Sequence, residues 1–280
     1  MSDIKLFVCC HQAGQSVPNH PLLYPIQVGA ALAERHFPGF LHDDEGENIS
    51  TKNRSYCELT AHYWAWKNMT ADYYGFFHYR RYLYPGGEHS RPYRLESTLD
   101  EHTLQRLHFQ QFADTVEGWD CLVPIRENMY IPVREHYATA PHHRAKDLEL
   151  VCQIVRERYP QYVDGMQEYL SSTLCYFGNI FVMRREMLED YCQWLFSILE
   201  EFDRRADVSG YTPQEARVDG YLAERLLGVY LTARRKDWKI KELPRVHTVV
   251  GGDGVKKKFL YAVAPPGTRR RFWLKRLLRG

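Results

Sequence analysis

The stretch Tyr73 to Pro85, YYGFFHYRRYLYP, decides how this chain is read. Its first five residues are apolar and aromatic, as in a strand covered on both faces, and the run then ends in His78-Tyr79-Arg80-Arg81. In an open α/β sheet, ligands sit beyond the carboxyl ends of the strands, so basic side chains at such an edge point to an anionic ligand. Guanidinium forks match phosphate oxygens and an imidazole adds a donor, which makes a diphosphate the natural guest. The competing reading pairs the arginines with surface carboxylates and ties His78 to a backbone carbonyl.

Working outward, strands and helices alternate. A β-prone run spans Ile4 to Cys10 and places His11 at an equivalent strand edge. The composition of Ile26 to His36 predicts a helix. A second helix covers Tyr56 to Asn68, with Leu59, Tyr63 and Trp66 on one face and Ser55-x-x-Glu58 as its capping box. Trp119 to Ile125 and Cys175 to Met183 read as strands, and a charged helical segment precedes the first of them. Ala145 to Leu170 reads as helix interrupted near Pro160. Arg185 to Arg205 is amphipathic with Leu188, Tyr191, Cys192, Leu195 and Leu199 inward. A long helix over Gln214 to Arg235 and an extended segment over Lys239 to Val250 follow. This order predicts an α/β protein: a Rossmann-type mixed sheet flanked by helices, one domain over residues 1–250 with a helical C-terminal part. Residues 251–280 form a basic amphipathic tail.

Composition narrows the classes. The 280 residues carry 37 Lys+Arg against 35 Asp+Glu, so no global charge draws the chain to nucleic acid. Seven cysteines, an odd number without a CxxC pair, fit a reducing compartment and argue against structural zinc. The chain shows neither a signal-peptide pattern nor an apolar run long enough to span a bilayer, so the expectation is a cytoplasmic protein. The tail RRRFWLKRLLRG sets basic residues around Phe272, Trp273, Leu274, Leu277 and Leu278, which suits the anionic inner face of the cell membrane; a partner-docking segment and a disordered basic end are the alternatives.

A second polar constellation is HDDEGENISTKN, His42 to Asn53. Asp43 and Asp44 resemble a carboxylate pair for a divalent cation, although an acidic solvated loop is the simpler reading. Asn48, Ser50, Lys52 and Asn53 precede a helix whose free N–H groups favour an anion.

The runs DDEGENISTKNRSYCELTAHYWAWKN, DYYGFFHYRRYL, YFGNIFVMRREMLEDYCQWLFSIL and GYLAERLLGVYL resemble the successive motifs of a bacterial family of capsular and exopolysaccharide glycosyltransferases. That family was long catalogued as a domain of unknown function. The resemblance covers Ile4 to Leu231 and implies a glycosyltransferase-A-like fold with a nucleotide-diphosphate sugar as donor, UDP-galactofuranose or another UDP-hexose. The acceptor it implies is a lipid-linked or oligosaccharide chain of a growing capsule, exopolysaccharide or O-antigen. The family pattern carries over onto His11, Gln27, Asn48, Ser50, Lys52, Asn53, Glu58, His78, Arg80, Arg81, Asn179, Glu224 and Arg225. Glu47 stands where an aspartate is expected.

Many transferases of that fold carry Asp-x-Asp after the corresponding strand to hold Mn²⁺ or Mg²⁺. Here the place is taken by His78-Tyr79-Arg80-Arg81, so the expectation is metal-independent, inverting transfer with no cofactor. If a cation serves, Asp43 and Asp44 would hold it. Inversion needs a general base, for which Asp219 and Glu224 are candidates, a structural ion pair being the alternative for each. His142, His143 and Asn179 are acceptor-side candidates. The competing function is a non-catalytic nucleotide-sugar or glycan-binding subunit of a synthase complex.

Overall fold

The computed structural model describes residues 2–86, 92–248 and 260–277 except 262 and 266. The chain opens with strands β1 (Ile4–Cys10), β2 (Leu23–Gln27) and β3 (Leu41–His42), then helices α1 (Asn53–Tyr56) and α2 (Leu59–Asn68). Next come β4 (Tyr73–His78), β5 (Arg81–Leu83), β6 (Tyr93–Glu96), α3 (Glu101–Arg106), α4 (Phe112–Val116), β7 (Cys121–Pro124) and β8 (Glu127–Asn128). The helical part follows with α5 (Val133–Thr139), α6 (Ala145–Arg158) and α7 (Val163–Ser171). It continues through β9 (Leu174–Cys175), β10 (Phe181–Arg184), α8 (Arg185–Arg205) and α9 (Val218–Ala233). β11 (Ile240–Leu243), β12 (Arg245–Thr248) and α10 (Arg269–Leu277) close the chain.

The main sheet runs β11-β7-β10-β4-β1-β2-β3 and is parallel except for β10, which is antiparallel to β4 and β7. β4 lies at its centre. Tyr74 and Phe76 enter the core beneath α2, α8 and α9, while Tyr73 and Phe77 enter the opposite core beneath α3 and α4. Burial on both faces explains the unbroken aromatic run, because neither side of the strand has a solvent face to mark with polar residues. A side sheet joins β5 and β6 through β12.

Helix α8 buries every side chain expected to face inward. The Ile26 to His36 helix does not form. Ile26 and Gln27 complete β2 in register with Cys9 and Cys10, and only one 3-10 turn, Ala30–Leu32, follows. Gly29 between them is left-handed (φ 67°), and a Cβ there would lie 2.6 Å from Asn53 Oδ1, so close approach of the two loops excludes a regular helix. The Ser55–Glu58 capping box is also overturned. Cys57 (φ 52°) breaks the segment into α1 and α2, the Ser55 hydroxyl bonds to Asp219, and Glu58 caps nothing. No helix among the described residues is long and apolar enough to cross a membrane. The tail folds back on the body: Tyr130 Oη donates to the Gly267 carbonyl (3.2 Å) and its ring lies 5.8 Å from that of Phe272. Residues 251–259, where the tail begins, lie outside the described residues.

Candidate functional site

The sheet edge is built by a tight hairpin. β4 ends at His78, Tyr79-Arg80 form the turn, and β5 returns with Arg81 paired opposite His78. Against this tip lies the end of β1, with the His11 ring 5.4 Å from Tyr79 and 6.3 Å from His78. The ridge separates two cavities. One, of about 730 Å³, is lined by Gln12, Ser16, Tyr79, Arg80, Arg81 and His247 among others. The other, of about 620 Å³, is lined by His11, Asn53, Glu58, His78, Tyr211 and Arg217 among others.

The charge at this edge is only partly offset, by the Glu224 and Glu58 carboxylates acting on Arg81. Arg80 and Arg81 make no ion pair among the described residues, and Arg80 lies 5.5 Å from the Tyr79 ring. Burial lowers the Arg81 pKa, and the Arg80 and Arg245 charges lower it further. His78 is not a cation: burial first, then Arg81 and Arg80, push it down to about 2, so the imidazole of this basic turn is neutral. Its Nδ1 is buried without a partner, as is Nε2 of His247. His11 is likewise lowered, by burial and by Arg217 and Arg80. Two arginines and three neutral imidazoles, two of them with an unspent ring nitrogen, make this edge receptive to an anion.

The carboxylate at this edge is Glu58, which the family pattern includes and the local pattern assigns to a helix cap. Released from capping, Glu58 faces the second cavity, where burial and the nearby Glu224 charge raise its pKa. Asn179 Nδ2 donates to its Oε1 (2.9 Å) and to the Gly220 carbonyl (3.1 Å). Asn179 is buried and left-handed (φ 48°), and the preceding Gly178 (φ 96°) donates its N–H to Glu224 Oε1 at 2.8 Å. One turn therefore grips both carboxylates. Glu224 Oε2 also meets the buried Arg225 at 3.2 Å. Arg217, another residue unmarked by local pattern, lines the cavity with its Nε 3.3 Å from Cys57 Sγ.

Several expected donor ligands are occupied with the fold itself. Asp43 is fully buried, accepting from the Gly29 N–H (2.8 Å), the Ala30 N–H (2.9 Å) and the Ser50 hydroxyl (2.5 Å). Asp44 instead meets His36 Nε2 at 2.9 Å, so the two aspartates do not act as a pair on one point. Among the described residues no group of three or more His, Cys, Asp or Glu is arranged to hold a metal ion. Gln27 braces the next loop through the Arg35 carbonyl and the Phe37 N–H. Asn48 donates to the carbonyls of Asp44 and Gly46 and accepts from the Ser50 N–H. Lys52 pairs with Asp203 at 2.9 Å. Asn53 lines the second cavity but donates to the Cys57 carbonyl and Thr60.

Asp219 is buried under α1, with Oδ1 unpartnered, and lines neither cavity. Burial and Asp203 raise its pKa to about 7. Of the residues expected to meet an acceptor, His143 stacks on Tyr221 at 4.2 Å and His142 is exposed in a left-handed turn.

With this geometry in place, comparison with known proteins decides the family. Residues 5–236 match the family described as "Domain of unknown function (DUF4422)". The chain belongs to that family. Among curated proteins none matches. Among solved structures the chain superposes on one titled "WbbM bifunctional glycosytransferase apo structure", with a TM-score of 0.84 and 32% identity over 89% of this chain. The match spans 46% of that protein, so this chain corresponds to less than half of its length. The glycosyltransferase-like mixed sheet expected from the DUF4422 motifs is thus observed.

Proposed function

We propose that the protein is a glycosyltransferase that moves a sugar from a nucleotide-diphosphate donor, such as a UDP-hexose, onto a growing bacterial surface polysaccharide. One observation carries this reading: Arg80 and Arg81 make no ion pair among the described residues at a sheet edge beside two cavities, in the fold of a bifunctional glycosyltransferase. The diphosphate occupies the cavity lined by Arg80 and Arg81, and the acceptor hydroxyl enters the cavity lined by Glu58. Breaking the sugar–phosphate bond leaves extra negative charge on the departing diphosphate, and fixed guanidinium donors stabilise it as it develops. The neutral His247 lines the same cavity and adds a hydrogen-bond donor without adding charge, while the neutral His78 lines the acceptor cavity.

Glu58 takes the acceptor proton in this scheme. A base must touch the proton it removes, and Glu58 lines the cavity, whereas Asp219 has a suitable pKa but lies buried away from both cavities. Glu224, gripped by Gly178 and Arg225, orients the acceptor with His143 and Tyr221. Transfer is inverting and draws on no metal, and the exposed Arg269 and Arg270 of α10 hold the protein at an anionic membrane surface.

Transfer or donor hydrolysis by the purified chain, screened over UDP-, GDP-, CMP- and dTDP-sugars with EDTA or Mn²⁺, tests this. Activity that vanishes in EDTA and returns with Mn²⁺ would overturn the metal-free scheme. Tight donor binding without any turnover would favour a non-catalytic binding subunit.

A further inference from the structure

A third cavity, of about 610 Å³, lies between α5, β8 and the C-terminal segment, apart from the two that meet at the His11–Tyr79 ridge. Met129, Ile131, Pro141, Phe177 and Phe272 give it largely apolar walls. Phe177 also lies 5.1 Å from the Arg225 guanidinium, so this wall backs directly onto the site.

Among the described residues one arginine lines the cavity, and two of its three nitrogens carry unspent donors. Arg271 buries Nε and Nη1 without a hydrogen-bond partner, its guanidinium 5.4 Å from the Tyr261 ring. Leaving charged N–H donors dry and unpaired is costly, so this arrangement favours an acceptor from outside. The two carboxylates nearby do not supply it: Glu127 is committed to the buried Arg245, and Glu135 is exposed at the rim.

The outer surface of the same segment is basic and apolar at once. Arg269 and Arg270 are exposed, and of the four exposed large hydrophobic residues among those described, two, Val263 (49%) and Trp273 (55%), fall here. Such a surface suits an anionic membrane interface. An apolar cavity with an unsatisfied guanidinium beside that surface matches one ligand chemistry, a phosphate ester of a long hydrocarbon chain.

We propose that this cavity binds a lipid phosphate drawn from the membrane, its phosphate on Arg271 and the first part of its chain between Met129, Ile131, Phe177 and Phe272. The inference stands on this cavity alone and does not depend on sugar transfer.

Calorimetric titration of the full chain with dodecyl phosphate, below its micelle concentration, tests it against dodecanol, dodecanoate and inorganic phosphate. Saturable binding of dodecyl phosphate is expected, at least tenfold tighter than that of the other three. Arg271→Gln should weaken it tenfold or more, and Ala140→Phe, which fills the cavity, should abolish it. Both variants should keep the wild-type melting temperature and, if the chain is a transferase, its donor hydrolysis. Wild-type affinity in both variants, no binding of dodecyl phosphate, or equal binding of dodecanol or dodecanoate would each overturn the proposal. Because R271Q lies on the C-terminal helix, outside the main core, it remains decisive if A140F fails to fold.

Discussion

Two polar regions of this molecule look alike as sequence and differ in what their side chains have left to offer. The loop Asp43 to Asn53 and the turn His78 to Arg81 both place charged and amide groups beside a strand or helix end. In the loop, Asp43 and Asn48 meet their partners inside the protein, and Lys52 is held by Asp203. At the turn, Arg80 and Arg81 have no carboxylate partner among the described residues, and His78 keeps a dry nitrogen. A polar group whose valences are met by its own fold holds structure, and one left unmet at a cavity is available to a ligand.

The largest expected effect is at the turn. Arg81→Ala should cut transfer by about 10²–10³-fold, the loss typical of removing a preorganised donor to a developing anion, with the melting temperature little changed. The mirror experiment is Asp43→Ala. It removes a buried carboxylate from two backbone N–H groups and a hydroxyl and should cost about 3 kcal/mol or more in denaturant unfolding, while the folded fraction keeps its specific activity. If R81A unfolds the protein and D43A inactivates it while folded, the contrast between the regions is reversed.

Asn179→Ala sharpens the comparison because that residue spends its N–H on a working group. The hydrogen bond favours the charged form of Glu58, so removing it raises that pKa further. The acidic limb of the kcat/KM profile should move to higher pH, with losses on the order of tenfold below the limb and recovery above it, a pattern that a loss of stability would not produce.

The smallest effect is expected at Asp219, whose folded pKa of about 7 lies above its value in the unfolded chain. The folded state therefore holds a proton that the unfolded state releases, and stability falls as pH rises from the unfolded pKa toward 7. Asp219→Asn should raise the melting temperature by a few degrees at pH 8, leave it nearly unchanged near pH 4, and retain most activity. Loss of transfer with an intact fold would return Asp219 to the role of base.

How much was legible follows from where the signal lies in the chain. β4 and α8 could be read directly, since burial on both faces and an amphipathic 3.6-residue period are local patterns. The basic turn could be read because it directly follows such a strand. The Ile26 to His36 helix was misread because its Ala- and Leu-rich composition is overruled by pairing of β2 with β1 and by contact between Gly29 and Asn53. Glu58 sits in a sequence pattern that also spells a capping box, and only Asn179, 121 residues away, shows that its carboxylate is used elsewhere. Likewise no local pattern shows that the Ser55 hydroxyl is taken by Asp219, or that Arg271 lines a cavity with β8.

The dry nitrogen of His78 has a consequence for proton traffic. In the empty site its imidazole is kept neutral by burial and by two neighbouring positive charges. A diphosphate arriving in the neighbouring cavity offsets the two positive charges but leaves the burial, which is the larger cause, so the imidazole stays neutral and takes up no proton on capture. Binding heats of a nucleoside diphosphate measured at pH 8 in two buffers of different ionisation enthalpy should therefore agree; unequal heats would show an imidazole that becomes charged as the ligand arrives. The positive charge that receives the departing group is then carried by the arginines and is in place before the ligand arrives.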